Sequence, residues 1–229
     1  MSIIEKNILH IRERINDAAY RSDRNPDDIK LMAVTKTVEC GRIIEAVESG
    51  IDIIGENYIQ EARRKIEKLG KEVKWHMIGH LQSNKAKYAV RLFDMVHSVD
   101  RIELAQEIDR RAKSAGTVMK ILIEVNLSGE VAKSGIVKEN LFQFVQTIAS
   151  FKNLSLLGLM TMPPWSDDPE NSRPFFSELR RLRDAVACRC IEGVSMNELS
   201  MGMSDDYQIA VEEGSTIVRI GRAIFGERS

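Results

Sequence analysis

The sequence predicts an α/β protein built as a single (β/α)8 barrel with an extra helix ahead of it. Three observations carry that prediction. Eight short apolar runs alternate with amphipathic stretches along the 229 residues. The runs are rich in Val, Ile and Leu, as strands covered on both faces of a parallel sheet should be. No linker of changed composition interrupts the alternation, so residues 1–229 are expected to form one domain. A doubly wound open sheet would place a Gly-rich turn after its first strand, and Met32-Ala33-Val34-Thr35-Lys36-Thr37 has no glycine.

The elements follow in order. Ser2 and Glu5 have the spacing of a capping box. Behind them Ile4, Ile8, Ile11, Ile15 and Ala18 recur at helical spacing. The first strand run is Ile29–Thr35, followed by a helix through Arg42–Ser49 with Gly50 where a helix-ending glycine belongs. Ile51–Gly55 is the second strand, and the helix from Tyr58 to Leu69 stops at Gly70. Val73–Ile78 is the third strand, Ser83–Arg91 a short helix and Asp94–Ser98 the fourth strand. Asp100 with Glu103 signals the start of a helix that ends at Gly116. Val118–Asn126 is the fifth strand, Lys138–Ser150 a helix and Ser155–Met160 the sixth strand. Pro163 and Pro164 break a longer loop before a helix over Pro174–Cys190. That helix turns Phe176, Leu179, Leu182 and Val186 inward and Arg180, Arg181 and Arg183 outward. Glu198–Met201, Ser204–Glu213 and Thr216–Ile220 complete the series as strand, helix and strand.

Composition removes several function classes. The chain carries 33 basic and 34 acidic side chains and a net charge of −1, without the basic surplus of a nucleic-acid binder. No apolar run nears the ~18 residues of a membrane span, and the start lacks the pattern of a secretory signal. Three cysteines and four scattered histidines show neither a closed disulfide set nor metal-ligand spacing. A cytoplasmic protein with reduced thiols is the expectation.

In a barrel the chemistry lies where strands end and loops begin. The loops after the seventh and eighth strands are a common phosphate site, because backbone N–H groups and a short helix start converge there. Here they offer the Ser200 hydroxyl and the close backbone approach that Gly202 and Gly221 permit, with Arg222–Phe225 as a candidate short helix. Lys36 follows an apolar strand directly, so its amine should lie at or inside the barrel mouth. A partly buried lysine is a nucleophile toward carbonyls; the competing reading is an ion pair with Glu56 or Glu124. Lys36 and the phosphate loops together suit a phosphate-bearing aldehyde, and pyridoxal phosphate is one. Arg219 would then face the pyridine nitrogen. Arginine cannot accept a proton, so it would leave that nitrogen unprotonated and the ring a weak electron sink. A class I aldolase-like barrel, with Lys36 attacking a sugar phosphate, is a further reading. His80 could lie against the ring. Lys133, in the polar loop 126–135, reads as a solvated charge more readily than a ligand, and Tyr58 and Met203 read as packing.

Five segments in order resemble the pyridoxal phosphate homeostasis family, relatives of the alanine racemase N-terminal barrel. They are Ala33–Thr37, Gly55–Glu61, Trp75–Lys85, Leu199–Asp205 and Val218–Gly221, and the likeness runs from about residue 30 to 226. The resemblance implies a (β/α)8 barrel that binds pyridoxal 5′-phosphate as an aldimine on Lys36. It implies phosphate contacts from Ser200 and Gly221, Arg219 at the pyridine nitrogen and Asn57 in the cofactor pocket. It implies a role in intracellular vitamin B6 homeostasis, with pyridoxal-phosphate-dependent apo-enzymes as partners and a monomer as the working unit. The alternative is a low-activity amino-acid racemase. True alanine racemases follow their lysine with a tyrosine- and glycine-containing segment, where this chain has Thr37-Val38-Glu39-Cys40-Gly41. They also carry a C-terminal β-domain that supplies a catalytic tyrosine. Ending at Ser229, this chain is expected to lack it, and efficient racemisation is not expected.

Overall fold

Eight parallel strands close into a barrel in this computed structural model, which describes residues 1–130 and 133–227. In chain order the strands are β1 (Lys30–Val34), β2 (Ile53–Glu56), β3 (Lys74–Met77), β4 (Met95–Val99), β5 (Met119–Asn126), β6 (Ile136–Val137), β7 (Leu154–Met160), β8 (Val194–Ser200) and β9 (Ile217–Ile220). Around the barrel the order is β4-β3-β2-β1-β9-β8-β7-β5, closed by pairing of β4 with β5. The two-residue β6, which the sequence pattern does not signal, pairs only with the end of β5. The predicted sixth, seventh and eighth strands are therefore β7, β8 and β9. The predicted polar loop 126–135 includes residues 131 and 132, and the domain boundary includes 228 and 229; these four lie outside the described residues.

The helices are α1 (Ile3–Arg21), α2 (Cys40–Glu48), α3 (Ile59–Leu69), α4 (Ala86–Leu92), α5 (Ile102–Ala115), α6 (Leu141–Ala149), α7 (Arg173–Ala187), α8 (Tyr207–Glu212) and α9 (Arg222–Phe225). Before α1 the Ser2 side chain and the Glu5 carboxylate form the expected capping box. The apolar stripe of α1 is buried against β1, β9, α8 and α9. Gly116 ends α5 in the left-handed region at φ 64°. The start of α5 differs from expectation. Asp100 accepts from Arg101 Nη1 at 2.6 Å instead of capping the helix, whose first residues have no side-chain cap. None of the helices described is long and apolar enough to cross a membrane.

Strand parity sets what faces the interior, because successive side chains point to opposite faces. Met32, Val34, Ile53, Ile78 and Ile217 pack together inside the barrel, and Met95, Leu122, Leu157 and Met160 form a second interior cluster. Their neighbours along the strands pack outward against the helices. Buried polar residues on the inward parity are the exception: His76 on β3, His97 on β4, Glu124 on β5, Glu198 and Ser200 on β8 and Arg219 on β9.

Candidate functional site

Lys36 continues the inward parity of Met32 and Val34 by one more step. It sits half-buried in the turn that leaves β1. The turn bends sharply, with Thr37 at φ 65°. Lys36 opens onto a cavity of about 200 Å³ at the C-terminal end of the barrel, shared with Asn57, His80, Glu124 and Arg219. Lys36, Asn57 and Arg219 thus line one hollow. Gly79, on the rim, has no room for a side chain: a Cβ there would lie 2.4 Å from the Asn57 carbonyl oxygen. Met162, Met203 and Ser134 complete the lining. Met203 is therefore part of the cavity rather than packing, and Tyr58 is exposed rather than packed.

Arg219 forms the floor. Its Nη1 donates to Ser200 Oγ at 2.8 Å and its Nη2 to the Thr161 carbonyl at 3.0 Å. Burial lowers its pKa to about 10, with Asp206 and Glu124 acting the other way, so it is still a cation at neutral pH. Glu124 is pushed up to about 7, chiefly by burial and also by Asp100, against the pull of Arg219.

Ser200 differs from its expected role. It is wholly buried and absent from the cavity lining. β8 runs Val194–Ser200 where Glu198–Met201 was expected; Ser200 is within the strand in both, but its hydroxyl is buried inside the barrel instead of facing the loops. Its Oγ lies 2.9 Å from His97 Nδ1, and His97 Nε2 lies 3.0 Å from His76 Nδ1. One direction satisfies every group. Arginine only donates, so Ser200 accepts from Arg219 and gives its single O–H to His97 Nδ1. His97 then donates from Nε2 to His76. Burial holds both imidazoles neutral, His76 at about 3 and His97 well below its ordinary value. The hydroxyl thus orients Arg219 from beneath.

A neighbouring feature joins the two loops expected to hold phosphate. Gly221 precedes α9, which spans the expected Arg222–Phe225. There Ser204 Oγ accepts from the Ala223 N–H at 3.2 Å, and Arg222 pairs with Asp205, joining the loop after β8 to the turn after β9. Ser204 was not singled out in the sequence, although it follows Gly202-Met203 at the loop centre. Lys133 donates to Glu130 at 2.7 Å, in keeping with a loop charge. His80 lies 3.8 Å from Asp100 Oδ2. A larger groove of about 540 Å³ runs between α1 and the loops after β7 and β8. Arg14, Trp165 and Arg222 line it but no lysine does, so the smaller hollow is the one with a nucleophile. Among the described residues no group of three or more His, Cys, Asp or Glu could hold a metal ion.

The family model for the alanine racemase N-terminal domain matches residues 6–229. The chain is 43% identical over 219 residues to the pyridoxal phosphate homeostasis protein of Aquifex aeolicus, covering 95% of each. It is 38% identical over 232 residues to the protein of that name from Escherichia coli strain K12, covering 100% of this chain and 98% of the other. The solved structure of PipY from Synechococcus elongatus with PLP bound is similar at TM-score 0.86 and 31% identity, over 97% of this chain and 100% of that one. An alanine racemase from Corynebacterium glutamicum, at 15% identity and TM-score 0.72, covers 98% of this chain and 62% of its own and shows the shared barrel.

Proposed function

This chain belongs to the pyridoxal phosphate homeostasis protein family, and on that premise we propose that it binds pyridoxal 5′-phosphate through Lys36 and serves vitamin B6 homeostasis. One observation carries the reading: an amine and a buried cation, Lys36 and Arg219, line the same cavity at the barrel mouth. The residues fit the group. When bound, pyridoxal phosphate supplies an aldehyde that condenses with amines and a ring that withdraws electrons. Lys36 provides the amine, Arg219 the donor for the ring nitrogen, and the Gly221 turn the backbone N–H groups for the phosphate. Asn57 and Gly79 close one side. Ser200 supports Arg219 and takes no part in holding phosphate. Because Arg219 keeps its proton at neutral pH, it would donate to the ring nitrogen without protonating it. That favours storage of a reactive aldehyde over strong carbanion chemistry. We include in the proposal a cytoplasmic monomer that hands the cofactor to pyridoxal-phosphate-dependent apo-enzymes.

The test is to load the protein with pyridoxal phosphate, reduce it with borohydride and map the peptides by mass. The pyridoxyl group should be on Lys36. An adduct found only on other lysines removes the reading.

A further inference from the structure

A buried ion cluster on the outer side of the barrel wall grips both neighbours of Lys36. Its members are Glu56 at the end of β2, and Glu61 and Lys65 on α3. The Lys65 ammonium makes three hydrogen bonds: to the Thr35 carbonyl at 2.5 Å, to Glu56 Oε1 at 2.7 Å and to Glu61 Oε1 at 2.7 Å. Thr35 Oγ1 donates to the same Glu56 oxygen at 2.5 Å. The Thr37 N–H donates to Glu61 Oε1 at 2.6 Å. The residue before Lys36 and the residue after it are thus tied to one ammonium.

We propose that Glu56, Glu61 and Lys65 are positioning residues that fix the Lys36 amine for capture of the aldehyde; this rests on the reading of Lys36 above. Three features argue against a purely stabilising role. The buried face of α3 is otherwise apolar, with Ile59, Ala62 and Ile66, and a well-packed apolar residue usually stabilises such a position as well as a buried ion pair does. Two carboxylates face one ammonium, and Glu56 Oε2 is buried with no hydrogen-bond partner. Thr37, a β-branched residue, is held at φ 65°, a conformation that persists only where surroundings impose it. The Glu61 contact imposes it here. Were Thr37 to relax, the peptide after Lys36 would turn and the inward parity of its side chain would be lost.

Lys65→Met is the direct perturbation, but it strands two carboxylates and could prevent folding. Glu61→Ala is the decisive one, because the Glu61 side chain is 26% exposed and its loss leaves the Lys65–Glu56 pair intact. Capture of pyridoxal phosphate by the full-length chain is followed by stopped-flow absorbance, with urea unfolding alongside. Glu61→Ala should unfold close to wild type yet capture about tenfold more slowly and weakly, the effect of losing one charge-assisted hydrogen bond. Glu61→Gln keeps an acceptor for the Thr37 N–H and should stay within about twofold of wild type. Without cofactor, Lys36 of Glu61→Ala should react faster than wild type with trinitrobenzenesulfonate, mapped by mass, because its amine is no longer held inward. Wild-type capture and wild-type labelling in Glu61→Ala overturn the inference. If the wild-type protein itself carries no adduct on Lys36, the underlying reading fails and this inference with it.

Discussion

Replacing Ser200 with alanine should destabilise the protein before any ligand is added. The Ser200 side chain has no solvent exposure, and its oxygen serves two buried partners. It accepts from Arg219 Nη1 at 2.8 Å and sits 2.9 Å from His97 Nδ1. Removing it strands one donor of a buried cation and one ring acceptor. Each unmet buried partner costs about 1–3 kcal/mol, so the sum for the two is roughly 2–6 kcal/mol. The space vacated is a single oxygen, too small for a replacement water. Against a typical total of about 5–15 kcal/mol, that is a large fraction. The assay is urea unfolding of the cofactor-free protein, followed by circular dichroism. A Ser200 that held phosphate directly would give the opposite pattern, with unfolding unchanged and affinity reduced. That result would refute the relay from Arg219 through Ser200 to His97.

Two further outcomes are expected. The folded-state pKa of Glu124, about 7, lies above its ordinary value of 4.5, so the folded state favours its neutral form. The stability it contributes is full below pH 4.5 and is lost as pH rises through 7, by up to about 3 kcal/mol. Glu124→Gln should therefore be the more stable protein at pH 8 and nearly equal to wild type at pH 4.5 in urea unfolding; equal midpoints at pH 8 would contradict this. Loaded with pyridoxal phosphate and given L-alanine in deuterated water, the protein should exchange the α-proton slowly and form little D-alanine, because Arg219 does not protonate the ring. Turnover near the ordinary ~10 s⁻¹ would make it a racemase.

The barrel was legible because its signals are local. Apolar runs, helical spacing and stopping glycines such as Gly50, Gly70 and Gly116 need no tertiary partner to be recognised. Lys36 and Arg219 were legible for a related reason, since a cation at the end of an apolar strand has few places to go. Ser200 was read as a phosphate-facing hydroxyl at a strand end because its buried partners, His97 and Arg219, come from other strands and leave no local pattern around it. The histidine relay joins β3, β4, β8 and β9 through strand stagger, which sequence does not display. A polar residue inside each apolar run, His76 and His97, was the available hint. Lys65 gave a similar hint as a lone cation on the apolar face of α3, but its meaning depends on Glu56 from another element.

The barrel is joined by pairing β1 to β9, with Lys30 opposite Ile217 and Ala33 opposite Ile220. The same seam carries Asn7 Nδ2 to the Ile224 carbonyl at 2.9 Å. Contacts of such sequence separation are slow to form, because the chain entropy they remove must be given up before they return any stability. Lys36 follows one strand of this seam and Arg219 lies in the other, so the cavity cannot exist in a chain whose barrel is still open. A ligand of the cavity therefore cannot seed folding; it stabilises only the closed form, in proportion to RT ln(1 + [L]/Kd). Cofactor retention thus becomes a report on chain closure: molecules with an unzipped seam would keep most helices and strands yet remain colourless.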